Sequence, residues 1–296
     1  MRLTNKIFGE LMNLFEKIFY TLDNWDMTEP TNYGWLHIMF IAIVIALTSF
    51  LCVKFKDSDE KIVRRIVLIC WVVMAVLEIY KQIAFAIGSP DGGITAKWDY
   101  DWASFPYQLC STLLYIFPFI VWLKDGRVRD AMISYIMTFS LFGGLAVYVF
   151  PNDVFIESVI INFQTMIHHG IQVVVGIFFI VRYRHSLDLK RFVRAIPVFA
   201  VMVSLAFILN LTICPILEAN GIGDRFNMFY VGPHHDCTLP LLNMIYPAVP
   251  YIVFALMYVF GFCLVSAIVY YASKGIIILT DKIRNYAQIK HAKKAN

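Results

Sequence analysis

Residues 159–181 read VIINFQTMIHHGIQVVVGIFFIV. The run holds no Asp, Glu, Lys or Arg. It exceeds the roughly 20 apolar residues a helix needs to cross hydrocarbon. It also carries two adjacent histidines and several amides. Asn162, Thr165, His169 and Gln172 recur at i, i+3, i+7 and i+10, so a helix lines them up as one polar stripe, with Gln164 and His168 beside it. Lipid offers such a stripe no hydrogen-bond partner, so it must face protein or a cavity.

Working outward, six more charge-poor runs frame this one: 34–53, 66–87, 104–123, 128–150, 195–214 and 250–271. Of the 296 residues, 59% are hydrophobic and 16% charged, against about 25% charged in soluble domains. A soluble fold has nowhere to bury that surface. The chain reads as an all-α polytopic membrane protein of about seven transmembrane helices. Lys and Arg divide unevenly between the connections. The segments 54–65, 124–129, 182–194 and the tail from 272 carry 19, the other connections 5, and Lys81 stands inside a run. The positive-inside rule then predicts an outside N-terminus and a cytoplasmic C-terminus. Residues 1–33 are expected to form an interfacial amphipathic helix, Leu3 to Leu22, with a linker. Residues 34–271 form the seven-helix domain and 272–296 a basic cytoplasmic tail lying on the inner leaflet.

With that orientation, polar groups from four runs fall in one layer near the outer face. At 1.5 Å per residue, Glu78 lies about 13 Å and Lys81 about 9 Å below the outer surface. Gln108 and Cys110 lie about 6 and 9 Å deep, and Gln164, His168 and His169 about 8 to 15 Å. Asn162 belongs to the same stripe, and Asn210 sits at the outer end of the sixth run. The inner halves of these runs are almost wholly apolar. Some of the layer has a purely structural explanation. Glu78 and Lys81 are one turn apart and pair readily, and histidines satisfy interhelical hydrogen bonds. A thiol beside imidazoles also suits covalent chemistry: a Cys nucleophile, a His base and a thioester that passes its acyl group onward. Glu78 or an amide would orient the imidazole, as a third member does in other triads. Gln108, Gln164 and Asn210 would position or polarise a carbonyl, and Glu78, Lys81 and Asn162 complete the binding residues.

Elsewhere there is less to read. Cys214 and Cys237 are both external, which makes them a candidate disulfide pair. His234, His235, Asp236 and Cys237 are packed too closely in one segment to share an ion comfortably, so no metal is expected. No nucleotide fingerprint appears, and no nucleic-acid partner or soluble cofactor is implied. The segment 215–249, rich in Gly and Pro, is expected to turn and to cover the outer opening.

Phe105-Pro106-Tyr107-Gln108-Leu109-Cys110 resembles the Pro-x-Gln-Leu-Cys start of a helix in the YwaF-type bacterial membrane protein family. Phe163-Gln164 followed by His169-Gly170 resembles that family's helix ending in His-Gly. Asn210, and Asp224 to Tyr230 followed by Pro233, resemble its outer-loop segment. The likeness spans roughly residues 35–270. The family is similar to the eukaryotic transmembrane-protein-164 group of phospholipid acyltransferases. The resemblance implies a multi-pass protein of a bacterial plasma membrane that acts on membrane phospholipids. It also implies Cys110 as nucleophile. The base is His169 by the His-Gly match, or His168 by spacing. Rival readings are a small-solute transporter, a lipid sensor whose polar layer only binds, or a hydrolase with the same dyad.

Overall fold

A computed structural model describes residues 13–88, 95–151, 154–223 and 225–295. The first part of the predicted N-terminal helix, residues 89–94 of the outer loop and Asp224 lie outside the described residues. A helix α1 (Leu14–Asp23) comes first. Helices α2 (Trp35–Phe55), α3 (Glu60–Ala84), α4 (Thr112–Trp122), α5 (Arg127–Val149), α6 (Val159–Arg182), α7 (Leu189–Ala219) and α8 (Tyr251–Ala295) then fall on the seven apolar runs. Helices α2, α5, α6, α7 and the Tyr251–Ile283 part of α8 are long and apolar enough to cross a membrane. In α3 the uncharged stretch runs only from Ile66 to Leu77, and α4 has 11 residues. The protein is an all-α polytopic membrane protein. Its described strand is limited to a short antiparallel pairing of Ile87–Gly88 (β1) with Lys97–Trp98 (β2).

Helices α5 and α6 form the centre. They bury 61% and 67% of their apolar stretches, against 22% for α2 and α8 and 28% for α7. Helix α6 packs against α2, α3 and α5, and α7 lies along the first half of α5. Small residues permit the closest approach. A Cβ on Gly144 of α5 would stand 2.9 Å from the His169 carbonyl and 2.8 Å from Gln172 Cβ. The middle of α5, Ile136–Ser140, is a buried π turn. It sets the Phe139 ring flat on Phe199, centroids 4.2 Å apart.

The third run departs from expectation. Helix was expected from Ser104, but α4 begins only at Thr112, after a 3-10 turn at Trp102–Ser104. Pro106 supplies no N–H and pushes Phe105 out of the helical region, to ψ 132°. Gln108 and Cys110 therefore sit on irregular backbone. Non-helical chain at membrane depth is tolerated where it is buried in protein or lines a cavity.

The predicted inner side is tied by ions. The buried Arg129 guanidinium pairs with Glu60 and, at 2.9 Å, with Asp125. Arg182 reaches the other Glu60 oxygen at 3.3 Å. Arg64 donates to the Val121 and Leu123 carbonyls, each at 2.6 Å, closing the C-terminal end of α4.

At the other end, α1 is capped by a reciprocal Asn13–Glu16 pair. It exposes Leu14, Phe15 and Ile18 and stacks Phe19 on Tyr80. The Met27 N–H donates to the Glu157 carbonyl at 2.7 Å and the Val159 N–H to the Trp25 carbonyl at 2.9 Å, pinning the N-terminal segment to the start of α6. Helix α8 runs without a break from the seventh apolar run into the basic residues beyond 272.

Candidate functional site

A cavity of about 310 Å³ opens between α3, the segment 101–111 and α6. Cys110, His168, His169, Gln164, Glu78 and Lys81 all line it. Six of the residues singled out in the sequence thus meet around one space, although they come from three separate parts of the chain.

The two histidines do different things. The His169 and Cys110 side chains line the same cavity wall and interact electrostatically. The His169 Nδ1 lies 2.8 Å from the carbonyl of Thr165, one turn back on α6. A carbonyl only accepts, so Nδ1 carries a proton and Nε2 is the nitrogen left to act as a base. His168 instead places Nε2 3.1 Å from the Cys110 carbonyl oxygen. Gln172 Nε2 donates to that same oxygen at 2.6 Å. Spacing alone left the choice between the histidines open; the interaction with the thiol belongs to His169.

Glu78 is not the group that orients the imidazole. Its carboxylate accepts from Lys81 Nζ at 2.8 Å, Gln82 Nε2 at 2.7 Å and Gln164 Nε2 at 3.2 Å. Orientation falls to the Thr165 backbone, which satisfies Nδ1 without bringing a second charge to the ring. The Glu78–Lys81 pair is a compensated charge pair on the cavity wall. It is locked further by Gln82, which donates to the Ser104 carbonyl at 2.9 Å and accepts from the Tyr100 hydroxyl.

Three predicted binding amides turn away from the cavity. Gln108 donates to the Asn227 carbonyl at 3.0 Å and accepts from the Phe229 N–H at 2.7 Å. Asn210 makes the matching pair with Met228, at 2.9 and 2.7 Å. Asn162 holds both backbone groups of Ile156. With both ends of each amide bonded to backbone, these side chains shape loops, and none of the three lines the cavity. Gln108 and Asn210 together hold the segment 226–231 between α7 and α8. There Phe229 and Tyr230 take left-handed backbone at φ 57° and 55°. Such conformations persist in non-glycine residues only where surroundings over-determine them, and the Tyr258 hydroxyl adds a 2.6 Å bond to the Phe229 carbonyl.

Sequence reasoning passed over Ser111 and Asp101, both on the cavity wall. Nothing in their spacing marks them. Thr165 stood on the polar stripe, but its role is played by its carbonyl, which any residue supplies. Cys214 and Cys237 are free thiols, and Cys214 Sγ donates to the Phe226 carbonyl at 2.9 Å. Among the described residues no group of three or more His, Cys, Asp or Glu is arranged to hold a metal ion.

A family model described as the TMEM164 family matches residues 32–270, from the linker before α2 to the body of α8. The chain belongs to the TMEM164 family. The match encloses every element that builds the cavity, so the site lies inside the part shared with TMEM164 proteins. No curated protein and no solved structure matches the chain.

Proposed function

We propose that this TMEM164-family protein is a membrane-embedded lipid acyltransferase, or transacylase, that works through a thioester on Cys110. One observation carries the reading: Cys110 and His169 line one cavity wall, and the His169 Nδ1 is held by the Thr165 carbonyl, which leaves Nε2 to serve the thiol as base. That is the nucleophile, base and orienter arrangement of covalent acyl transfer.

The reaction balances without a soluble cofactor. The thiol proton passes to His169 Nε2 while sulfur attacks the ester carbon of a phospholipid. The C–O bond breaks, and the leaving alcohol takes the proton from His169 as the thioester forms. A second alcohol then gives His169 its proton and attacks the thioester, and the thiolate leaves and is reprotonated. With seven crossings and the N-terminus outside, as the charge asymmetry predicts, this takes place at the ester depth of the outer leaflet of the cell membrane. The partners are membrane phospholipids.

The test uses purified protein in phosphatidylcholine–phosphatidylethanolamine vesicles carrying labelled acyl chains. Hydroxylamine-sensitive label is expected on the Cys110 peptide, and label is expected to move to a lyso-phospholipid added afterward. Release of free fatty acid alone would identify a hydrolase. No label in wild type, or full activity in Cys110→Ser, overturns the proposal.

A further inference from the structure

We infer that His168 and Gln172 are positioning residues that clamp the backbone of Cys110 so that its thiol stays on His169. The inference rests on the thioester reading above.

Cys110 is the last residue but one before α4, on irregular chain with no helical ladder to hold it. Its carbonyl oxygen nevertheless accepts two hydrogen bonds, from His168 Nε2 at 3.1 Å and Gln172 Nε2 at 2.6 Å. Both donors stand on α6, one turn apart. His169, between them in sequence, shares the cavity wall with the Cys110 side chain. One rigid helix thus holds the nucleophile by its backbone oxygen and sets an imidazole beside its side chain. With the carbonyl fixed at two points, the position of Cα and the direction of the Cα–Cβ bond are set relative to α6, so only rotation about that bond remains to bring the sulfur to the imidazole. A misplacement of about 1 Å at a reacting atom costs about a hundredfold in rate.

The polarity of the two side chains is itself informative. His168 Nδ1 and Gln172 Oε1 are buried without a hydrogen-bond partner, a cost that leucine or methionine would avoid in the same space. Each of the two polar residues leaves one atom unsatisfied and sends the other to the same carbonyl. This also accounts for the doubled histidine: His169 serves the sulfur and His168 the peptide.

The experiment compares His168→Leu, His168→Gln, Gln172→Leu and His169→Gln in the full chain, in the vesicles above. Two readouts are taken on the Cys110 peptide by mass spectrometry: the rate of acylation, and the rate of iodoacetamide alkylation as a function of pH. Glutamine at 168 places an N–H close to where His168 Nε2 stands. His168→Leu and Gln172→Leu are expected to slow acylation about tenfold with an unchanged pH profile of alkylation. His168→Gln is expected to recover to within about threefold of wild type. His169→Gln is expected to change the pH profile and is not rescued. The clamp is overturned if His168→Gln acylates as slowly as His168→Leu, or if either His168 variant changes the alkylation pH profile as His169→Gln does. If wild type forms no acyl-enzyme, the thioester reading fails, and alkylation then decides the clamp alone. Faster, less selective alkylation in His168→Leu than in His168→Gln upholds it, and equal rates reject it.

Discussion

His169 Nδ1 lies 2.8 Å from the carbonyl oxygen of Thr165, four residues earlier on the same helix. This bond sets the tautomer of the ring beside Cys110. A backbone acceptor cannot be removed by changing the Thr165 side chain. Thr165→Val is therefore expected to keep acylation within about threefold, losing only the weak 3.3 Å contact to Gln164. His169→Ala, which deletes the base, is expected to lose at least about a hundredfold. Acyl-label incorporation into Cys110 checks both. A Thr165→Val variant as inactive as His169→Ala would assign the orienting role to the wrong group.

Glu78 holds Lys81, Gln82 and Gln164 together, with its side chain only 7% exposed. Truncating one partner of a buried pair strands the other charge. Glu78→Ala is expected to cost about 3 kcal/mol. Adding Lys81→Met is expected to restore part of it, because the stranded ammonium is gone. Thermal or denaturant unfolding in detergent reads both variants.

Gly144 admits no side chain without displacing α6 at His169 and Gln172. Gly144→Ala is expected to destabilise the protein by about 1–3 kcal/mol and to slow acylation, since the shifted backbone is that of the dyad helix. The unfolding midpoint and the acyl label, measured on one preparation, test this coupling.

Arg129 joins Glu60 and Asp125 on the opposite side of the protein from the cavity. Arg129→Ala is expected to destabilise by about 3–5 kcal/mol. In whatever fraction remains folded, the acylation rate per folded molecule is expected to be unchanged. A lower rate per folded molecule would show that this network reaches the site.

Cys237 lies in the segment between α7 and α8, and burial pushes its thiol above the ordinary range. The thiolate is the reactive form, so iodoacetamide is expected to label Cys237 slowly at neutral pH, with the rate climbing only as the solution becomes strongly alkaline. Peptide mapping after timed labelling measures this. Rapid labelling at neutral pH would mean the loop stands open.

The membrane class was legible from apolar run length alone, because hydrocarbon demands about 20 apolar residues wherever the backbone crosses it. The gathering of Glu78, Lys81, Cys110, Gln164, His168 and His169 was legible too. Each polar group buried in a span needs a partner, and helical rise turns sequence position into depth. Rise says nothing of azimuth. Whether Gln108 and Asn210 faced the cavity or the loop at 226–231 depended on how that loop folded back. The irregular stretch before Thr112 had its cause visible in Pro106, but the partners that make it tolerable lie on α6 and the segment 226–231. The choice between His168 and His169 was of the same kind. The residues are adjacent in sequence and about 100° apart around α6. Only the packing of α6 against the segment 105–111 decided that one imidazole stands beside the side chain of Cys110 and the other meets its carbonyl oxygen.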